Sequence, residues 1–390
     1  MARFLFVVPP LTGHVNPTIS VARALEDRGH QVAWVGHPGA VCPLLPTSAR
    51  LFALSEHAPA ELVAQVTDRA RTTRGAAALK FLWEDFLIPL ARQMRPGIEG
   101  ACDEFAPDVM ICDQQAVAGS LVARRRGLPW ATLATTSAGV TEPLAGLPEV
   151  ARWLRELYAS LEREAELEPA PDGERSPHLV IAFTTEAMVG PRDQFPAHYR
   201  FVGPSFAARP ETTPFPWEAL APGPRVLISM GTVNAESSGR FFATTLAAFA
   251  DPALAGVQGI LVAPAAVLGD AVIPPNVIVR PYVPQLALLA KVDAVVSHGG
   301  HNTVCETLAN GTPLVVAPIR DDQPIVADQV VAAGAGVRVK FGRVQAPELR
   351  AAIRAVLDDP SYRAAALRVR DSFAAAGGPA AAAALLEGLS

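Results

Sequence analysis

Long apolar runs are missing from this chain of 390 residues. Nowhere do ~18 consecutive apolar residues occur, so no transmembrane helix is expected. Charge is sparse as well: Asp, Glu, Lys and Arg make up 18% of the chain, with a formal net charge of -5. That balance removes the electrostatic reason to expect a nucleic-acid partner. The one basic run, Arg124 to Arg126, closes a helical pattern just before "GLPW" and reads as a solvated helix C-terminus. Only Cys42, Cys102, Cys112 and Cys305 supply thiols, without metal-type pairing or a dense framework, so reduced cysteines and a cytoplasmic location are expected. No GxGxxG, P-loop or HExxH occurs, which sets aside the dinucleotide fingerprint, the Walker nucleotide site and the zincins.

What is present is apolar and periodic. Half of the residues are hydrophobic, and the length suits two domains rather than one core. The opening "MARFLFVV" is cut by two prolines and leads into a patterned region, so it reads as a first strand and not as a signal peptide. "NPTISVARALEDRGHQ" follows with helical spacing of Ile19, Val21, Ala22 and Leu25, then "VAWVG". Such a strand, helix, strand unit favours parallel pairing. "DVMICD", "PWATLAT" and "HLVIAF" continue the pattern as short, fully apolar runs of the kind covered on both faces.

The proline-rich stretch from Phe206 to Pro224 breaks the alternation and reads as a linker. The pattern then restarts with "RVLISMG", a helix from Gly239 to Ala250, "VQGILVA", "VIVRPYV", "DAVVSHGG", a helix from Thr303 to Asn310, and "PLVVAP". The expected fold class is therefore α/β, with two doubly wound parallel-sheet domains over 1–205 and 225–390 joined by 206–224. Two Ala-rich helical segments, Ala346 to Leu357 and Ala364 to Gly388, end the chain, and the last could pack on either domain. The less regular stretch from Val140 to Pro177 holds "WLRELYASLEREAELEPA", whose charges at Glu156, Glu162, Arg163, Glu164 and Glu166 suggest a solvated, mobile element near an active-site mouth.

Chemistry gathers at strand ends. In "VVSHGGHNTVCETLANGTPLVV" an apolar strand stops at Ser297 and His298, passes Gly299 and Gly300, and enters a helix through Asn302 and Thr303. Glycines let the backbone approach a ligand, and helix N-H groups attract an anion, so a phosphate or pyrophosphate is the expected occupant. The same residues also suit a plain helix N-cap with two turn glycines and no ligand. His298 and His301 are three apart, but no third ligand accompanies them as a zinc site would need. Glu306, one turn on from Thr303, is in reach of ribose hydroxyls, and Asp322 and Gln323 after "PLVVAP" suit sugar hydroxyls. In the first half, His14 follows the first strand and Asp113 ends another, a pairing suited to removing a hydroxyl proton. On the residues alone, a loop histidine that caps a helix and a turn aspartate are the better account of them.

Taken together, "YVPQ", "SHGGHNTVCETLANGTPLVVAPIRDDQP" and "GAG", between Tyr282 and Gly336, resemble the donor-binding signature of the GT-B glycosyltransferases of family 1. "GHVNP", "FVGP" and "SMGT" extend the resemblance over almost the whole chain. The resemblance implies two Rossmann-like domains facing across a cleft, the first for the acceptor and the second for a nucleotide sugar, with the final helix able to return to the first. It implies that the Val283 backbone and Gln285 meet the base and ribose, Glu306 the ribose hydroxyls, and His298, Gly300, Asn302, Thr303 and Thr232 the pyrophosphate. Asp322 and Gln323 would hold the sugar. Plant members carry Trp where this chain has Tyr282, which leaves base stacking there open.

His14, supported by Asp113, would act as general base for an inverting displacement on a UDP- or TDP-sugar. No Asp-x-Asp occurs, so no metal cofactor is expected, and helix N-H groups would assist departure instead. The expected acceptor is a small hydrophobic molecule, a bacterial natural product, held near Pro10, Leu11, Phe81 to Phe86, Thr135 to Val140 and the irregular segment. A sugar-nucleotide epimerase of similar fold and a non-catalytic nucleotide-sugar-binding protein remain as alternatives.

Overall fold

A computed structural model of the chain describes residues 1–55, 73, 76–141, 144, 146–206, 213–231 and 238–390. It divides into two compact units: Met1–Glu186 with Pro191–Ala208 and Ala376–Ser390, and Ala187–Gly190 with Arg209–Ala375.

The first unit is built on seven parallel strands: β1 (Arg3–Val7), β2 (Gln31–Gly36), β3 (Leu51–Ala53), β4 (Val109–Asp113), β5 (Trp130–Ala134), β6 (Val180–Ala182) and β7 (Tyr199–Phe201). Their order is β3-β2-β1-β4-β5-β6-β7. The apolar run of β1 is fully buried because alternate residues enter different cores: Leu5 and Val7 on one face, Phe4 and Phe6 on the other. The helix Thr12–Glu26 covers the second face with Val15, Val21, Ala22 and Leu25. The helix Ile88–Phe105 covers the first with Leu90, Met94, Ile98 and Phe105.

The second unit repeats the plan with six parallel strands: β8 (Arg225–Ser229), β9 (Gln258–Val262), β10 (Val277–Arg280), β11 (Ala294–Ser297), β12 (Leu314–Val316) and β13 (Gly336–Arg338), ordered β10-β9-β8-β11-β12-β13. Val226 and Ile228 enter one core and Leu227 the other. The proline-rich stretch is not a bare connection throughout. Phe215 and Leu220 pack with Leu227, Ile260 and Leu288 of the second unit.

Two expectations need correction. The stretch from Trp153 to Ala170 is not merely a solvated face: the helix Pro148–Glu164 buries Tyr158, Ala159, Leu161 and Glu162. Glu162 is fully buried because Arg124 donates to its carboxylate, and the Ala170 amide does so as well. The basic run that supplies Arg124 is likewise engaged, Arg125 with Glu99 and Glu166 and Arg126 with Asp103. The Ala-rich end is two helices, Pro360–Ala375 and Gly378–Glu387, broken where Gly377 and Gly378 both take positive φ. The last helix buries Ala382, Ala383 and Leu386 in the β1 core. Its Glu387 accepts a 2.8 Å hydrogen bond from His30 Nε2. No helix among the described residues is long and apolar enough to cross a membrane.

Candidate active site

In an open parallel sheet the strand order reverses at one place, and the strand ends there splay apart to leave a crevice. In the first unit that place is between β1 and β4. His14 stands in the first turn of the helix after β1, and Asp113 is the last residue of β4. His14 Nδ1 lies 2.9 and 3.0 Å from the two carboxylate oxygens of Asp113. The Asp113 side chain is fully buried and the His14 side chain 14% exposed, so the imidazole is the part of the pair open to a partner. The Gln115 amide donates to Asp113 Oδ1 at 2.8 Å. With the carboxylate accepting from Nδ1-H, the proton is fixed on that nitrogen and Nε2 carries the lone pair.

The residues expected to line the acceptor pocket lie in the first unit. Phe81–Leu87 is a π-helical turn leading into the helix Ile88–Phe105, and Glu84 within it accepts from Trp153 Nε1 at 3.1 Å. Pro10 and Leu11 are half-buried, while Phe81, Thr135, Thr136, Ser137, Ala138 and Val140 are buried.

The second unit reverses its order between β8 and β11. There Ser297 pairs with Ser229, and the chain continues through His298, Gly299 and Gly300 into the helix His301–Ala309. Gly299 has φ +84, and a Cβ on it would stand 3.3 Å from the Gln323 carbonyl, so both conformation and space demand glycine. A Cβ on Gly231, at the end of β8, would come within 2.8 Å of the His298 ring, and one on Gly300 within 2.5 Å of its Nε2. The imidazole therefore lies between two glycines whose missing side chains make room for it. Burial, with the Arg320 charge adding to it, pushes His298 down to about 4, against the opposing pull of Asp322 and of the Ser229 carbonyl.

Asn302 and Thr303 are half-buried in the first turn of that helix, where N-H groups have no intrahelical acceptor. Glu306 is buried at 2% exposure one turn on and accepts from Gln285 Nε2 at 2.6 Å, so these two sequence candidates form one unit. Val283 packs partly against the Leu227 and Leu288 core. Asp322 is the N-cap residue of the helix Gln323–Ala332. Gln323 turns its Oε1 to the Ile319 and Arg320 amides at 2.9 and 3.2 Å, which fixes the loop after β12. Thr232 lies outside the described residues.

His301 belongs elsewhere: it is buried, with Nε2 3.5 Å from Cys305 Sγ. No group of three or more His, Cys, Asp or Glu among the described residues is placed to hold a metal ion. Gly231 and Arg320 are residues that sequence reasoning did not assign to these two places, and Thr135, expected along the acceptor pocket, was not linked to the His14 and Asp113 pair. Their signal was positional, since each stands at or just past a strand's C-terminal end, and only the strand order shows which ends adjoin.

Residues 258–389 match the family model described as "Erythromycin biosynthesis protein CIII-like, C-terminal domain". The 4'-demethylrebeccamycin synthase of Lentzea aerocolonigenes is 31% identical over 426 residues, covering 100% of this chain and 99% of that protein. The chain belongs to the family 1 GT-B glycosyltransferases. The demethyllactenocin mycarosyltransferase of Streptomyces fradiae is 30% identical, covering 100% of this glycosyltransferase and 87% of that one. Among solved structures, the glycotransferase of kitacinnamycin superposes with a TM-score of 0.81 at 25% identity, over 100% of this chain and 99% of its own. The glycosyltransferase is thus a nucleotide-sugar-dependent enzyme of the antibiotic and natural-product type, with the two-sheet architecture of that fold.

Proposed function

We propose that the enzyme transfers a sugar from a nucleoside diphosphate donor to a hydroxyl of a small hydrophobic acceptor, with inversion at the anomeric carbon. The first unit takes the acceptor and the second the donor. His14 Nε2 removes the hydroxyl proton as the oxygen attacks, and Asp113 stabilises the imidazolium that forms. The observation that carries this reading is the His14 and Asp113 pair at a strand-order reversal, with a fully buried carboxylate behind a ring that is 14% exposed.

The leaving diphosphate is received by the N-terminus of the helix His301–Ala309, by Gly300, Asn302 and Thr303, by His298 and by Thr232. The Val283 backbone, Gln285 and Glu306 hold the nucleoside, while Asp322 and the Nε2 end of Gln323 hold the sugar. The sequence carries no Asp-x-Asp pair, and departure is assigned to these donors without a resident metal. UDP-glucose is the first donor to try and a TDP-sugar the second.

The test incubates the protein with each donor, with and without a phenolic acceptor, in the presence of EDTA, and reads products by mass and by the anomeric proton coupling. A glycoside of inverted configuration formed only with acceptor is expected. Conversion of the donor to an epimer without acceptor would overturn the proposal, and so would retention of configuration.

A further inference from the structure

The pair of His14 and Asp113 has a third member. Ala131, Leu133 and Thr135 alternate onto the same face of the sheet as Val109, Ile111 and Asp113, because Asp113 is in register with Leu133. Ala131, Leu133, Val109 and Ile111 belong to the core on that face, and the polar pair of Asp113 and Thr135 is where that core ends. Thr135 Oγ1 donates to Asp113 Oδ2 at 2.6 Å and lies 2.7 Å from His14 Nδ1, and Thr135 is only 3% exposed.

One hydroxyl has one proton, and an ionised carboxylate can only accept. The Thr135 proton therefore goes to Asp113, which leaves the Thr135 lone pairs to accept from His14 Nδ1-H alongside the carboxylate. Nδ1-H is thus shared between two acceptors, one the last residue of β4 and one just past the end of β5, and the ring is held by two anchors instead of one. Asp113 in turn accepts from Thr135, from the Gln115 amide and from His14, which compensates for its removal from water.

We propose that Thr135 is a positioning residue of the glycosyl transfer, its hydroxyl fixing the Asp113 carboxylate and the Nδ1-protonated form of His14 so that the lone pair stands on Nε2. This rests on the reading of His14 as the base. It adds a residue that never touches the reacting atoms, since the Thr135 hydroxyl meets the imidazole on the nitrogen that does not react.

The test is made on the free protein at neutral pH, without any ligand. Proton NMR is used to observe the strongly hydrogen-bonded Nδ1-H of His14 at low field, assigned by its disappearance in His14→Ala. Thr135→Val keeps the shape and removes the hydroxyl, with Thr135→Ala in its place if the valine variant does not fold. The resonance is expected to move upfield and to exchange with water at least about tenfold faster, since one of its two acceptors and one support of the other are gone. Thr135→Ser should restore both position and exchange rate, which a purely structural role for the methyl group would not produce.

An unchanged resonance in the valine variant, a serine variant as perturbed as valine, or no such resonance in the wild type would each overturn the proposal. Failure of the base reading is separable, because it shows as glycosyl transfer retained in His14→Ala whatever the resonance does.

Discussion

Binding of a nucleoside diphosphate to the second unit should take up a proton at His298. In the free protein burial pushes this imidazole down to about 4, so it is neutral at physiological pH. A neutral ring has one N-H, and the ring has a hydrogen bond to the Ser229 carbonyl. While that N-H is donated to Ser229, the other nitrogen presents a lone pair, which a phosphate oxygen would repel. A unit negative charge about 4 Å away, at an effective dielectric of ~20, favours the imidazolium by about 4 kcal/mol. At 1.36 kcal/mol per pKa unit this is about 3 units, enough to raise the group from about 4 to near neutrality. Calorimetry of UDP binding at pH 6.5, in buffers of differing ionisation enthalpy, counts the protons. The wild type should take up roughly three quarters of a proton more than His298→Asn, and its affinity relative to that variant should tighten as pH falls from 8 to 6. Equal uptake by the two proteins would refute the reasoning, because the added charge would then have no effect on the ring.

The same depressed imidazole affects stability with a definite sign. Its contribution is fully present above the unfolded value of 6.5 and is lost as pH falls from there toward about 4, because the unfolded chain binds the proton first. Urea titrations at pH 7 and pH 5 should show the wild type losing up to about 2 kcal/mol more than His298→Asn. Gly300→Ala has an ordinary φ of -61 and its nearest contacts are on the His298 ring, so UDP binding should weaken roughly tenfold by calorimetry with little change in Tm. Gly231→Ala, at φ +72, adds about 1–2 kcal/mol of backbone strain and should lower Tm as well. Glu162→Ala leaves Arg124 without its counterion, with the Glu168 and Gly173 carbonyls left to accept from it, and denaturant unfolding should show a loss of about 3 kcal/mol. Leu386→Ala opens a hole in the β1 core from the last helix and should cost about 2–4 kcal/mol in the same assay.

The parts of this molecule most legible in its sequence were those governed by local pattern. Short apolar runs named most of the strands, because residues such as Phe4 to Val7 are buried on both faces and leave no alternation to misread. The three-residue strands Leu51–Ala53, Tyr199–Phe201 and Gly336–Arg338 were missed, since edge strands of that length carry no periodicity. Glu162 read as solvated because a helical charge pattern does not reveal a partner on another helix, and Arg124 is such a partner. The candidate residues in each unit were legible for a related reason. His14, Asp113 and His298 stand at strand termini, where chain direction alone says a ligand could bind. Gly231 was not assigned, and Thr135 was expected only along the acceptor pocket and not as a partner of His14 and Asp113, because their roles depend on which strands lie side by side.

The central claim is that His14 carries proton removal and not donor binding. His14→Ala, with UDP-glucose and a phenolic acceptor, should lose transfer by roughly a hundredfold or more while UDP binds with an unchanged Kd. Transfer close to the wild-type rate would contradict the account.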